Sequence, residues 1–192
     1  MKRRQFLQTL VSASIGLFLS TELNARVLAP GNNVALRYLG NIPGPLRYLD
    51  GRTGNGTVGL APSLAPKYSG TKWRVYRAGE GIVALFYLGN IEGPRWLDGR
   101  TADGTVGLPP GTKKPFTGTS WQVVQVDGNN PNIVALKCLG DIEGARWLDG
   151  RTTNGTVGLA STTEPPFTGT KWEARMYPVT IDETNKVHYI NL

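Results

Sequence analysis

Three stretches of this chain can be laid on one another without a gap: LDGRTGNGTVGLAPSLAPKYSGTKW (49–73), LDGRTADGTVGLPPGTKKPFTGTSW (97–121) and LDGRTTNGTVGLASTTEPPFTGTKW (148–172). Each opens on Leu-Asp-Gly-Arg-Thr, passes through Gly-Thr-Val-Gly-Leu and closes on Gly-Thr-x-Trp. A second block precedes each copy: VALRYLGNIPG (34–44), VALFYLGNIEG (83–93) and VALKCLGDIEG (134–144). The unit is roughly 50 residues long, in the range where arrays and closed symmetric folds are expected. Such repetition constrains a fold strongly, because one unit cannot bury its apolar face alone and must pack against its neighbours.

Within a unit the punctuation is that of short strands. Val-Ala-Leu-x-Tyr-Leu is rich in strand formers and stops at Gly40, Gly89 or Gly140. Arg-Tyr/Trp-Leu makes a second short strand and Thr-Val-Gly-Leu a third. They are joined through Asn55-Gly56, Asp103-Gly104 or Asn154-Gly155. Such dipeptides signal a hairpin, since both central residues of a tight primed turn need positive φ. Thr-x-Trp-x-Val, as in Thr119 to Val123, is a fourth strand, and no window carries a sustained helical period. Four strands in three copies fall short of the usual 4–8 blades of a propeller, and the copies lack the distinct caps of an open solenoid. The expected fold is all-β: a closed β-trefoil of three internal repeats (about 34–82, 83–133 and 134–181), about four strands each. The first and fourth strands should form a barrel, and the second and third a hairpin cap. The unrepeated tail from Tyr177 to Leu192 should add a closing strand, with Val187, Tyr189 and Ile190 packing.

The start of the chain reads differently. Lys2, Arg3 and Arg4 precede an apolar run from Leu10 to Leu19 and a polar exit at Leu23-Asn24-Ala25, the layout of a signal peptide over residues 1–25. Arg3-Arg4-Gln5-Phe6-Leu7 also resembles a twin-arginine export signal. The run is shorter than the roughly 20 apolar residues of a membrane-spanning helix, so no stable membrane insertion is expected once the leader is removed. Residues 26–192 then form the folded domain, secreted or periplasmic. The leader carries three cations against Glu22, leaving about +5 of the formal +7 on the domain. Those charges are scattered, which suits weak attraction to anionic surfaces or glycans but not nucleic acid, whose binders concentrate a basic stripe. Cys138 is the sole cysteine, so no intramolecular disulfide forms; it takes the place of Tyr38 and Tyr87 and reads as core.

Trp73, Trp121 and Trp172 close the copies and read as core, each needing one partner for its indole N–H. Tyr48, Trp96 and Trp147 read as packing residues. Leu49, Leu97 and Leu148, with Val58, Val106 and Val157, read as the core of the cap. The repeated polar residues say more. Asp50, Asp98 and Asp149 each stand at the end of a short strand, followed two residues on by Arg52, Arg100 and Arg151. Asn55, Asp103 and Asn154 lie at the turn, and Tyr68, Phe116 and Phe167 stand 18 residues after the aspartate in every copy. A carboxylate, an amide or second carboxylate, and an aromatic face are what a sugar site needs. The first accepts from vicinal hydroxyls and the ring covers the apolar face of a pyranose. Each group also has a structural reading. An aspartate before glycine can close its own loop, the arginine can pair with it, and the aromatic can tuck under the loop.

The order Leu-Asp, loop, Asn-Gly-Thr, short apolar strand and closing x-x-Trp resembles the ricin-B-type β-trefoil lectins over about residues 34–175, in all three copies. The resemblance implies a carbohydrate-binding function and sugar contacts by Asp50, Asp98 and Asp149. This chain has Thr71, Thr119 and Thr170 where that family has glutamine before x-Trp. It has Ala61, Pro109 and Ala160 where the sugar-stacking aromatic would stand, and it lacks the family's disulfides. Tyr68, Phe116 and Phe167 are the rings available to stack instead.

The residues give little to a catalyst. His188 is the sole histidine and lies in the tail, so neither a Ser-His-Asp nor a Cys-His arrangement has support, and one His with one Cys makes no metal site. The stretch from Asp50 resembles a calcium loop but places Arg52 at the second oxygen position and Ala61 at the twelfth. No catalytic residue, cofactor or metal is expected. The function expected is an exported, lectin-like glycan-binding protein with up to three equivalent sites. The alternatives are a protein-binding trefoil such as a protease inhibitor, using loops Pro109–Pro115 or Asp127–Asn132, and a non-catalytic structural envelope protein.

Overall fold

Six strands close into a ring. In a computed structural model describing residues 27–177 except positions 42, 53, 91, 101, 142, 152 and 153, plus the strand backbone of 179–181 and 187–189, these are β1 (Asn33–Tyr38), β4 (Trp73–Gly79), β5 (Ile82–Tyr87), β8 (Trp121–Gln125), β9 (Ile133–Cys138) and β12 (Trp172–Met176). Going round, Val34 pairs with Trp73, Val75 with Leu85, Val83 with Trp121, Val123 with Leu136, Val134 with Trp172, and Ala174 with Leu36. The last pairing returns to the first strand, so the ring has no free edge. The alternation of Val-Ala-Leu-x-Tyr sends Val34, Leu36 and Tyr38, and their counterparts on β5 and β9, into the interior. Trp73, Trp121 and Trp172 are fully buried, and their indole nitrogens donate to the carbonyls of Leu49, Leu97 and Leu148 at 3.1, 3.0 and 3.0 Å.

Three hairpins cap one end: β2 (Tyr48–Arg52) with β3 (Thr57–Ala61), β6 (Asp98–Arg100) with β7 (Thr105–Gly107), and β10 (Trp147–Arg151) with β11 (Thr156–Ala160). Their second strands meet in a cycle. Leu60 N donates to Gly155 O at 2.8 Å, Leu108 N to Gly56 O at 2.9 Å and Leu159 N to Gly104 O at 2.8 Å. The acceptor is each time the turn glycine, held left-handed (φ 67°, 71° and 68°), a conformation that costs an L side chain and is free to glycine.

Three expectations are corrected. The turns are not two-residue primed turns: four residues separate Arg52 from Thr57, the strand ends of a register in which those two pair. Asp103 N and Gly104 N both donate to Arg100 O (3.3 and 2.9 Å), the wrapping of a longer turn with a left-handed last residue. The aspartates do not end their strands. Asp50 and Asp149 sit in mid-strand and Asp98 opens β6, each paired across the hairpin with a glycine: Asp50 with Gly59, Asp98 with Gly107, Asp149 with Gly158. The tail does not close the barrel, which β1 and β12 already seal. Its strands β13 (Val179–Ile181) and β14 (Val187–Tyr189) pair with each other in a separate two-stranded sheet. The packing expected of Val187, Tyr189 and Ile190, and the leader over 1–25, lie outside the described residues.

Candidate functional site

The glycine opposite each aspartate explains how the Asp-Gly-Arg run is arranged. A Cβ on Gly59 would stand 2.7 Å from Arg52 Nη2, on Gly107 2.8 Å from Arg100 Nη2, and on Gly158 3.2 Å from Arg151 Nη2. The guanidinium therefore lies across a strand position that has no side chain. From there it reaches back to the carboxylate: Arg52 Nε is 3.6 Å from Asp50 Oδ2, Arg100 Nε 4.0 Å from Asp98 Oδ2, and Arg151 Nε 3.5 Å from Asp149 Oδ2. These are loose ion pairs, with roughly half of each arginine side chain in solvent, and they add little stability.

The carboxylates are sunk beneath them. Side-chain exposure is 13% for Asp50 and 9% for both Asp98 and Asp149. Burial pushes all three acids above their ordinary value, and the attraction of Arg52, Arg100 and Arg151 offsets only part of that rise. Asp98 Oδ1 meets no donor in hydrogen-bonding geometry, although the Gly118 N–H lies close enough to pull its acidity the other way. A nearly buried acceptor without a partner is uncommon, because it has given up water and gained nothing in exchange.

Against the glycine that follows each aspartate stands a residue from the next copy along the chain. A Cβ on Gly51 would approach Tyr87 Cδ2 to 3.0 Å, on Gly99 Cys138 Sγ to 2.9 Å, and on Gly150 Tyr38 Cδ2 to 2.7 Å. The front wall is the turn carrying the aromatic residue. Gly70, Gly118 and Gly169 there have no room for a Cβ, which would collide with Asp50, Asp98 or Asp149 Oδ1 and with the carbonyl of the next residue.

Asn55, Asp103 and Asn154 are exposed at the hairpin tips and perform a turn function. Their Oδ1 atoms accept from the backbone N–H of Thr57, Thr105 and Thr156 at 3.2, 2.9 and 3.1 Å, and from the same threonine hydroxyls at 2.6 Å each. The hydrogen bonds from Thr105 hold Asp103 below the usual carboxylate range. Tyr68, Phe116 and Phe167 are half-buried, and their carbonyls accept from the buried hydroxyls of Thr71, Thr119 and Thr170 at 2.9, 3.1 and 3.3 Å. The threonine that stands where a glutamine would be in the resembled family therefore ties down the aromatic turn.

In the first copy the predicted residues come together. Asp50, Asn55 and Tyr68 line one open cavity of about 310 Å³, joined by Arg52, Lys67 and Tyr87. In the third copy Phe167 lines a different cavity of about 400 Å³, with Asn41, Glu164, Thr168 and Lys171, in which Asp149 takes no part. Lys67 and Tyr87 escape a reading organised by repeats. Tyr87 comes from the next copy, and Lys67 occupies a position that is Pro115 and Pro166 elsewhere. Cys138 is fully buried, its Sγ within 3.4 Å of Gly99 O and 3.5 Å of Gly118 O, and burial pushes its thiol up. Among the described residues no group of three or more His, Cys, Asp or Glu could hold a metal ion.

No family model matches the chain, and no curated protein does. Solved structures do resemble it. One is described as a BEL beta-trefoil in an apo crystal form, with a TM-score of 0.53 at 22% identity, covering 77% of this chain and 94% of that one. Another is a GlcNAcα1-4Gal-releasing endo-β-galactosidase from Clostridium perfringens, with a TM-score of 0.55 at 15% identity, covering 74% of this chain and 32% of that one. This chain thus matches about a third of that enzyme. At these identities the likeness establishes the fold, a β-trefoil.

Proposed function

We propose that this chain is an exported glycan-binding protein that binds without catalysing, with up to three sites at Asp50, Asp98 and Asp149. The observation that carries the reading is the state of those carboxylates. Each is nearly buried, is pushed above the ordinary carboxylate pKa by burial and is met by a loose arginine pair. Asp98 Oδ1 is left without a donor and Asp50 shares a cavity with the Tyr68 ring; both features suit a vicinal diol on a pyranose, whose hydroxyls donate to a carboxylate and whose C–H face covers a ring. The cavity at Asp50 is the site in which carboxylate, amide and aromatic converge. The fold it shares with a protein that releases GlcNAcα1-4Gal supports the same reading.

Screening the purified protein on a glycan array, beside a triple Asp50/Asp98/Asp149→Ala variant, tests it. The wild type is expected to bind a coherent set of glycans that the triple variant loses. Absence of binding by the wild type, or equal binding by the variant, removes the reading.

A further inference from the structure

We propose that the cavity of the first copy selects anionic sugars, uronic acids or sulfated pyranoses, through Lys67; this rests on the glycan-binding reading above. The three copies place different charges around otherwise matching aspartates. In the first, Lys67 lines the cavity with Asp50 and Arg52, and its Nζ stands 5.1 Å from the centre of the Tyr68 ring. That cation–π contact holds the ammonium over the Tyr68 ring, in the cavity that both residues line. Among the described residues no carboxylate lies within ion-pair distance of Lys67, whereas Arg52 is occupied by Asp50 at 3.6 Å. One cation balances Asp50 and the other is surplus, so the cavity carries a net positive charge and a free donor of charge-assisted hydrogen bonds.

The sibling copies lack this feature. Pro115 and Pro166 replace Lys67, so neither offers an ammonium at that place. In the second copy Lys114 points to Asp141, with Nζ 4.0 Å from Oδ2. In the third the same turn carries Glu164, whose carbonyl accepts from Phe167 N at 3.0 Å. The proline also removes the stem that would lie against the ring. A neutral pyranose gains nothing from Lys67 beyond contact, while a carboxylate or sulfate at its rim gains a direct ion pair. The hydroxyls of the same sugar still donate to Asp50. Selection of this kind uses the surplus charge and leaves the shared aspartate unchanged.

The test uses full-length protein carrying Asp98→Ala and Asp149→Ala, so that only the first site remains, on an array of matched pairs. Each neutral glycan is printed beside its uronate and its 6-sulfate. At low ionic strength the anionic member of a pair is expected to bind about fivefold more tightly, the range of one partly exposed ion pair, and the ratio should fall as salt is raised. Lys67→Gln should bring the ratio to about one, while Lys113→Gln, which removes a lysine from the second copy's loop, should leave it in place. Inorganic sulfate should compete poorly, because it lacks the hydroxyls that Asp50 accepts from. Equal binding within pairs, a preference that survives Lys67→Gln, or sulfate competing as well as a sulfated sugar overturns the proposal and leaves glycan binding standing. Failure of the double variant to bind any glycan overturns the proposal, and failure of the wild type on the same array overturns the glycan-binding reading as well.

Discussion

At the scale of single residues, Asp98 carries a conflict between stability and use. Its carboxyl is held above its ordinary value of 3.8 by burial, so in the folded state it keeps its proton at pH values where the unfolded chain has lost it. The native state then binds more protons than the unfolded one across the window above 3.8, and stability falls as pH rises through it. At neutral pH the ionised Asp98 is a standing penalty. Asp98→Asn should therefore stabilise the protein at pH 7 by on the order of 1 kcal/mol, with the gain shrinking as pH falls toward 4. Urea denaturation of both proteins at pH 7 and pH 4 measures this. A variant less stable than wild type at pH 7 would mean that the Arg100 pair outweighs desolvation. Asn55 gives the opposite case, since its side chain serves the turn. Asn55→Ala removes two hydrogen bonds to Thr57 and should cost roughly 0.5–1 kcal/mol in thermal unfolding. Asn55 also lines the cavity, so any loss of glycan affinity beyond that expected from loosening the turn would assign it a ligand contact as well.

At the scale of elements, the junction between each hairpin and its aromatic turn tolerates no side chain. A Cβ on Gly169 would collide with Asp149 Oδ1 and Gly150 O, and the second of these is backbone that cannot swing away. Gly169→Ala should cost about 3 kcal/mol, at the upper end for overpacking. Gly128→Ala, whose Cβ would meet nothing within 4 Å, should leave the melting temperature unchanged. A mild effect at Gly169 would show that the aromatic turn can move off the strand. These elements differ in how far the sequence disclosed them. Barrel strands were legible because Val-Ala-Leu-x-Tyr and Thr-x-Trp alternate, and three aligned copies reinforce each alternation. The cap strands were legible in position but not in length. Asp-Gly-Arg has no apolar alternation, and its strand pairing is set by the glycine on the facing strand. The four-residue turn was hidden because Asn-Gly suits several hairpin loops, and the choice here goes with the threonine two residues after the asparagine, whose N–H and hydroxyl both donate to the asparagine side chain. The site was legible as a list of repeated polar residues, whereas Lys67 and Tyr87 were not. A search for what recurs discards Lys67, and Tyr87 reaches Gly51 only when the chain folds back on itself.

At the scale of the whole molecule, the cavity at Asp50 is not built by one copy alone. Tyr87 of the second copy lines it with Asp50, while Gly99 and Gly150, the residues after Asp98 and Asp149, lie against Cys138 of the third copy and Tyr38 of the first. Closure of the barrel therefore also completes that cavity, and the surroundings of the three aspartates are related in position without being alike. A thiol at Cys138 is far smaller than a phenol, and that notch also holds the unpartnered Asp98 Oδ1. The proposed function gives the three notches a specific pattern of binding. On a dense glycan surface they would act together, since linked sites gain roughly 10²–10⁴ in avidity over one alone. With a free monosaccharide no such gain exists. Asp50→Ala, Asp98→Ala and Asp149→Ala, made singly, should each weaken attachment to a glycan-coated surface by about tenfold or more, measured by surface plasmon resonance, while calorimetry with a free sugar shows the number of sites falling by one. Because the rear walls differ, the three variants should not be equivalent in the second experiment: each should remove the site with its own preference and leave the other two unchanged. Three identical results would mean that the walls from the neighbouring copies do not reach the bound sugar. Loss of all binding from a single variant would mean that one notch alone is used, and that the threefold ring serves only to fold the chain.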